Sequence, residues 1–461
     1  MASSSGARCL FLLLSLNIFY LSSYGYFDGT TQPEVTISQG TLRGKVVTTT
    51  HGRKVAAFLG IPYGQPPIGN RRFANPQPAG GWKGIRNATA DGSMCPQIDS
   101  KDLTTVIGDE DCLNLNVFVP QIRNGKDSSL LPVMAYVFGG RFMLGSINST
   151  MYGPTYLLNH DVVLVSFNYR LSALGFLSTG DKVASGNWGL KDQVLALKWV
   201  QRNIRHFYGD PDQVTLFGHS SGSACVQLLT LSKLTIGLYE SEEFFEEFVE
   251  NFDHLLSTLL YWTYQPDSGA AWIKAVKSYY FNDIEKMNRN EFLNNLTLLI
   301  GDGLFNYPVH SSLLEQFALG VNPQYFYVFN YRGTWSNTYT YGRTLVDYGV
   351  AHVDDLVYIF PYIDHNVALA LNKTINENDA QMIEIMTQLW TSFAIHGKPL
   401  TSSFCGNTTW TPYSEKDNYL QIGNKSEITL EMKHVFLRER MRFWANLVES
   451  EIEPEAIVTI N

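Results

Sequence analysis

Hydrophobic and polar positions change rhythm along the chain, and the changes predict its elements. From Val35 to Gly64, "VTISQGTLRGKVVTTTHGRKVAAFLGIPYG" alternates apolar and polar residues around glycines, which predicts β structure with turns. From about residue 113 the alternation stops. "LNLNVFVP", "VMAYVFGG" and "DVVLVSFNYR" are near-continuous apolar runs, the pattern of strands buried on both faces in a parallel sheet. "LKDQVLALKWVQRNIRHF" then places Leu190, Val194, Leu197, Val200 and Ile204 at helical spacing. The run "QVTLF" leads straight into Gly218-His219-Ser220, and the apolar stretch "SACVQLLTL" predicts a helix after it. Strand, helix, strand, sharp turn and helix form the βαβ grammar of a doubly wound α/β domain. No repeats or low-complexity segments interrupt it.

The N-terminus follows a different pattern. After Arg8, "CLFLLLSLNIFYL" is apolar apart from Ser15 and Asn17, and Ser23 and Gly25 are spaced for cleavage. This layout predicts a signal peptide over 1–25. Its 13 apolar-run residues fall short of the roughly 20 that a membrane span needs. No later stretch is long and apolar enough to span, and "NLVESEIEPEAIVTIN" lacks the tail of a lipid anchor. The expected product is secreted, with one domain over 26–461. Sequons at Asn87, Asn148, Asn295, Asn372, Asn407 and Asn424 are candidate glycosylation sites and agree with export. A net charge of -9 argues against nucleic acid and anionic membrane surfaces as partners. Removing Cys9 with the signal leaves Cys95, Cys112, Cys225 and Cys405, which allow three pairings. Cys225 lies on the apolar face after the serine motif and reads as a buried thiol.

Gly218-His219-Ser220-Ser221-Gly222 has the form G-x-S-x-G. With 37 glycines in 461 residues, that form arises by chance in roughly one chain in four. Its placement carries more weight than its letters. A nucleophile elbow needs glycines on both sides of the serine, because strand and helix crowd a tight turn there, and both elements are predicted.

Four further blocks make a resemblance specific: "EDCLNLNVF" (110–118), "GNWGLKDQVLALKWVQRNI" (186–204), "GDPDQVTLFGHSSGS" (209–223) and "GVAHVDDLVYIF" (349–360). Over about residues 33–447 the chain resembles the type-B carboxylesterases, which include insect carboxylesterases, juvenile hormone esterases and cholinesterases. The resemblance implies an α/β-hydrolase fold, a large mostly parallel central sheet with helices on both faces. It implies that Ser220 is the nucleophile and His352 the general base. The acid implied is a glutamate following a strand, five residues after a glycine. "IGLYESEE" offers Gly237 and then Glu242, with Glu240 and Glu243 as competitors by composition. The order Ser, Glu, His is the one this fold uses. Cys95 and Cys112 match the family's first disulfide. No cofactor and no metal are implied.

Two departures stand out. The oxyanion loop, H-G-G-G-F in relatives, reads "FGGRF" here, so Gly139, Gly140, Arg141 and the amide of Ser221 are the oxyanion-hole candidates. Arg141 replaces a glycine that provides φ > 0 or close substrate approach. Its side chain could fill the acyl pocket, bring positive charge to the oxyanion or point to solvent. Losing one donor's geometry costs roughly 100- to 1,000-fold in rate. His219 also replaces a commoner glutamate, and Ser221 a commoner alanine. The second departure is length. Only 22 positions separate Ser220 from Glu242, against on the order of a hundred more in the family. An internal segment is therefore expected to be missing near Lys233–Leu234, from a splice variant or an incomplete gene model. The acid strand "LTIGLY" would then either sit beside the nucleophile strand, moving Glu242 by ~4.8 Å, or leave a gap with an apolar edge.

The loop "PQIDSKDLTTVIGDED" carries no aromatic residue, so a choline site is not indicated. The expected partner is a small apolar ester, with oligomeric state open. The alternative reading is a catalytically impaired, esterase-like ligand-binding or adhesion protein, and a lipase reading lacks an amphipathic lid.

Overall fold

The computed structural model describes residues 32–99, 102, 104–121, 130–181, 183–231, 269–281, 287, 289–320, 323–340, 349–362, 374–401 and 408–452. The alternating N-terminal stretch forms β1 (Glu34–Ile37), β2 (Gly40–Arg43), β3 (Lys45–Thr48), β4 (Lys54–Pro62) and β5 (Ile85–Asn87). β1, β2 and β5 make a small separate sheet. A short hairpin, β6 (Gln97–Ile98) and β7 (Val106–Ile107), lies inside the loop closed by Cys95 and Cys112.

The apolar runs supply the centre. β8 (Asn114–Pro120), β9 (Leu131–Val137), β10 (Val163–Phe167) and β11 (Gly209–Gly218) join β4 and β3 in the order β11-β9-β10-β8-β4-β3. All seven residues of β8 are buried, as its pattern requires. Its pairing is nonetheless antiparallel to both β10 and β4, and β4 is antiparallel to β3. Among the described residues of this sheet, only β9–β10 and β9–β11 are parallel. Burial on both faces reflects the layers that cover a strand, not the direction of its neighbours.

α1 (Ser172–Phe176) and α2 (Trp188–Asn203) carry the chain from β10 across to β11. Val194, Leu197, Val200 and Ile204 are buried and Leu190 partly so, which is the stripe read from the spacing. Asp192 in α2 accepts the Arg170 guanidinium in a fully buried pair, 2.8 Å at each oxygen. α3 (Ser221–Leu231) follows β11 and packs on β9, β11 and α2. Beyond it lie α4 (Gly269–Tyr280), α5 (Arg289–Gly301), a π-helical turn Asp302–Asn306, α6 (Tyr307–Ala318) and β12 (Tyr327–Tyr331). α7 (Glu377–His396) opens on a capping box of Asn376 with Asp379 and ends at Gly397 with φ 65°, then packs on β9 and β11. β13 (Asn418–Lys425), β14 (Glu427–His434) and α8 (Arg438–Ile452) complete the order.

Among the described residues the strands fall on two sides. β11 ends the six-stranded sheet, while β12 begins a three-stranded one, β12-β13-β14. A small apolar slot adjoins β11, lined by Leu216, Phe217, Tyr325, Trp390, Phe393 and Trp410 among others. The predicted acid strand and Lys233–Leu234 lie outside the described residues, as do the signal peptide and Cys405.

Candidate active site

β11 stops at Gly218 and α3 starts at Ser221, so the turn is only two residues long. Ser220 occupies it with φ 54°, a left-handed conformation that costs an L-residue roughly 1–2 kcal/mol. The neighbouring glycines are required sterically. A Cβ on Gly218 would sit 2.7 Å from Val137 O, and one on Gly222 would meet Val137 O and stand 2.7 Å from Phe138 O. Two bonds fix the turn: Ser223 N–H donates to Ser220 O (2.9 Å) and Ser223 Oγ–H to Gly218 O (2.8 Å).

The loop Phe138–Phe142 lies directly against this turn. A Cβ on Gly139 would be 2.7 Å from Ser220 Cβ and 2.5 Å from His219 O. The Gly139 N–H donates to His219 Nδ1 at 3.3 Å. The Gly139 amide is thus spent on holding the loop to His219, while Gly140, Arg141 and Ser221 remain the candidate donors. Gly140 has φ 127°, Arg141 φ 58° and Phe142 φ 60°, so Arg141 stands in the left-handed region that favours glycine. Arg141 is exposed, in line with a solvent-directed side chain. The serine in place of alanine has a role of its own: fully buried Ser221 accepts the Phe142 N–H on Oγ at 3.2 Å, fastening the loop's far end. Farther along, Gln97 clasps Gly145, accepting its N–H (2.7 Å) and donating to its carbonyl (2.9 Å), while also donating to Cys95 O. The oxyanion loop is thereby tied to the Cys95–Cys112 loop, whose disulfide is formed.

His219 also meets the Tyr136 hydroxyl at 2.7 Å and lies nearly parallel to the Tyr136 ring. Burial pushes its imidazole down to about 3, so the ring is neutral. On the base side, His352 precedes Val353, another non-glycine at positive φ (67°). Its turn is held by Asp354, which is 2% exposed. The Asp354 carboxylate accepts the N–H groups of Ala351 (2.9 Å) and Asn337 (2.7 Å) and lies 3.6 Å from the Arg332 guanidinium. Asp355 accepts the Tyr327 hydroxyl, linking the turn to β12. Phe305, from the π-helical turn, packs its ring 5.2 Å from the His352 ring. Burial, and then the repulsion a charged His219 would exert, push His352 down to about 3.

The structure thus brings together Ser220, the 139–142 loop and His219, and sets His352 within electrostatic reach of His219. Glu242, with Glu240 and Glu243, lies outside the described residues. The sequence reading missed Asp354, although "HVDD" places it two residues after His352, and it missed Tyr136 and Gln97, whose partners are distant in sequence. Cys225 is a buried free thiol whose pKa burial raises to about 12. Asn87, Asn148 and Asn424 are exposed and Asn295 is half-buried, while Asn372 and Asn407 lie outside the described residues.

A family model described as "Carboxylesterase family" matches residues 31–242 and 238–444. A carboxylic ester hydrolase of Bombus ignitus is 29% identical over 545 residues, covering 91% of this chain and 96% of that protein. Esterase E4 of Myzus persicae is 44% identical over 227 residues, which is 49% of this chain but 41% of that esterase. Among solved structures, juvenile hormone esterase from Manduca sexta, with OTFP covalently attached, superposes with TM-score 0.74 at 23% identity, covering 91% of this chain and 100% of that one. That likeness shows the α/β-hydrolase fold. The chain belongs to the carboxylesterase family and is an ester hydrolase.

Proposed function

We propose that this chain is a secreted serine carboxylesterase that hydrolyses small apolar esters through an acyl-enzyme. Ser220 Oγ attacks the ester carbonyl carbon while His352 takes its proton. The amides of Gly140, Arg141 and Ser221 receive the oxyanion of the tetrahedral intermediate. Collapse expels the alcohol, which carries the proton from His352, and leaves the acyl group on Ser220. Water, deprotonated by His352, then releases the acid. Glu242 is the acid that orients the His352 ring and stabilises its charged form. The observation that carries this reading is the placement of Ser220, left-handed at φ 54° between β11 and α3, with the Gly139 backbone pressed against it. A left-handed serine at a strand-to-helix turn, crowded by a neighbouring backbone, is the conformation of a nucleophile elbow.

We also infer that a segment is missing near Lys233–Leu234. The family match breaks into two pieces that meet at 238–242. The Bombus ignitus alignment spans 545 residues against a 461-residue chain. Sequencing the transcript across this point tests it.

The test of the function is labelling of folded protein with a fluorophosphonate, with the adduct mapped by mass spectrometry. A stoichiometric adduct on Ser220, absent in Ser220→Ala, is expected. Folded protein with no adduct would sink the enzyme reading and leave the ligand-binding alternative.

A further inference from the structure

The residue before the nucleophile does more than fill space. Gly139 N–H can only donate, so His219 Nδ1, 3.3 Å away, must present its lone pair. The Tyr136 hydroxyl lies 2.7 Å from the same nitrogen, and with Nδ1 unprotonated it shares that one lone pair with the Gly139 N–H. The ring proton therefore sits on Nε2. The ring is packed by Tyr136 (centroids 5.9 Å), Tyr152 (6.0 Å) and Tyr362 (6.3 Å), and the titratable group that its charge would act on across the cleft is His352.

We propose that His219 is a positioning residue for ester hydrolysis. Through an unprotonated Nδ1 it holds Gly139 against Ser220, so that the next amides of the loop face the oxyanion. The proposal rests on Ser220 being the nucleophile. Two properties of the imidazole matter. It accepts a backbone N–H as a carboxylate would, which fixes the loop where a Cβ at Gly139 could not fit. It does so without charge, so it gives no electrostatic help to protonated His352. The depressed pKa of His219, set by burial, agrees with this neutral form throughout the physiological range. A carboxylate at this position would keep the loop contact but raise the proton affinity of His352.

Three variants separate these roles. His219→Leu removes the acceptor and is expected to lower kcat about 10- to 100-fold with KM within about threefold, since the lost contact acts on the oxyanion. His219→Gln retains a neutral acceptor and should recover most of kcat. His219→Glu should recover kcat while moving the acid limb of kcat/KM upward by about one pH unit. Leucine and glutamine variants with equal losses, or a leucine variant within twofold of wild type, would reduce His219 to packing and overturn the proposal. A readout independent of turnover accompanies them: nitrogen NMR of histidine-labelled protein, with His219 assigned from the glutamine variant. An unprotonated Nδ1 down to pH 5 is expected, and a protonated Nδ1 refutes the proposal whatever the rates. Fluorophosphonate labelling of wild type keeps the two failures apart, because absent labelling condemns the hydrolase reading and leaves the tautomer to judge His219.

Discussion

Ser220 and His352, the proposed nucleophile and base, are held in place by different means. Around Ser220 the constraint is backbone on backbone: Gly139, Gly218 and Gly222 each lie where a single added carbon would collide with a neighbouring main chain or with the nucleophile itself. Around His352 it is side chain on backbone, with one buried carboxylate gathering the amides of Ala351 and Asn337. The first arrangement has no give, because protein interiors are close-packed and peptide groups cannot rotate aside. The second is adjustable, because a carboxylate can be exchanged for another acceptor. The nucleophile side should therefore fail abruptly on substitution and the base side by degrees.

The largest effect expected on that contrast is at the elbow. Gly222→Ala forces a methyl group toward Phe138 O and Val137 O, and should give either no folded protein or less than about 0.1% of wild-type turnover. Folded protein with turnover within tenfold of wild type would show the elbow to be softer than its distances indicate.

Next comes the acid. Glu242→Gln should lower kcat by about 10⁴ if the carboxylate reaches the base. The pH profile reports the same contact. His352 works unprotonated, so kcat/KM rises with pH through its pKa. The described surroundings push that pKa down to about 3, and an engaged carboxylate raises it again. A wild-type limb near 6–7 that drops in Glu242→Gln is expected. A limb already below pH 5, unmoved by the substitution, would mean that the shortened chain leaves Glu242 out of reach.

The graded response belongs to the base side. Asp354→Ala strands two buried amides and should cost about 3 kcal/mol of stability with a 10- to 100-fold loss of kcat, read by thermal melts and steady-state rates. Asp354→Asn keeps one acceptor oxygen and should lose about half as much stability. Equal losses for the two would show that charge, not acceptance, holds the turn.

The smallest effect concerns Arg141. Replacing it with glycine relieves a left-handed backbone but frees the unfolded chain, for a net gain of about 0.5 kcal/mol. Because Arg141 is exposed, turnover of short-chain esters should rise less than tenfold. A larger rise would place its side chain in the acyl pocket.

The same contrast explains what could be read from the sequence. β8, the buried stripe of α2 and the elbow at Ser220 were legible because each is written in neighbouring residues: an apolar run, a 3.6 period, a pair of glycines. Pairing direction was not, since β8 looks the same from inside whether its neighbours run with it or against it. Asp354, Tyr136 and Gln97 were missed for a related reason. A buried acceptor is indistinguishable from a surface one until its partners arrive from elsewhere, as Gly139 does 80 positions before His219. The blocks of family resemblance singled out His352, but not what holds it.

One contact described above has a consequence for control. Gln97 grips Gly145 from inside the ring closed by Cys95 and Cys112, so the oxyanion loop and the disulfide belong to one mechanical linkage. Opening the ring in a reducing medium would leave two thiols in the buried core and slacken the footing of Gln97. The enzyme would keep its nucleophile while losing purchase on the charge that the reaction creates. One buried covalent bond would then bear on turnover as well as on the fold.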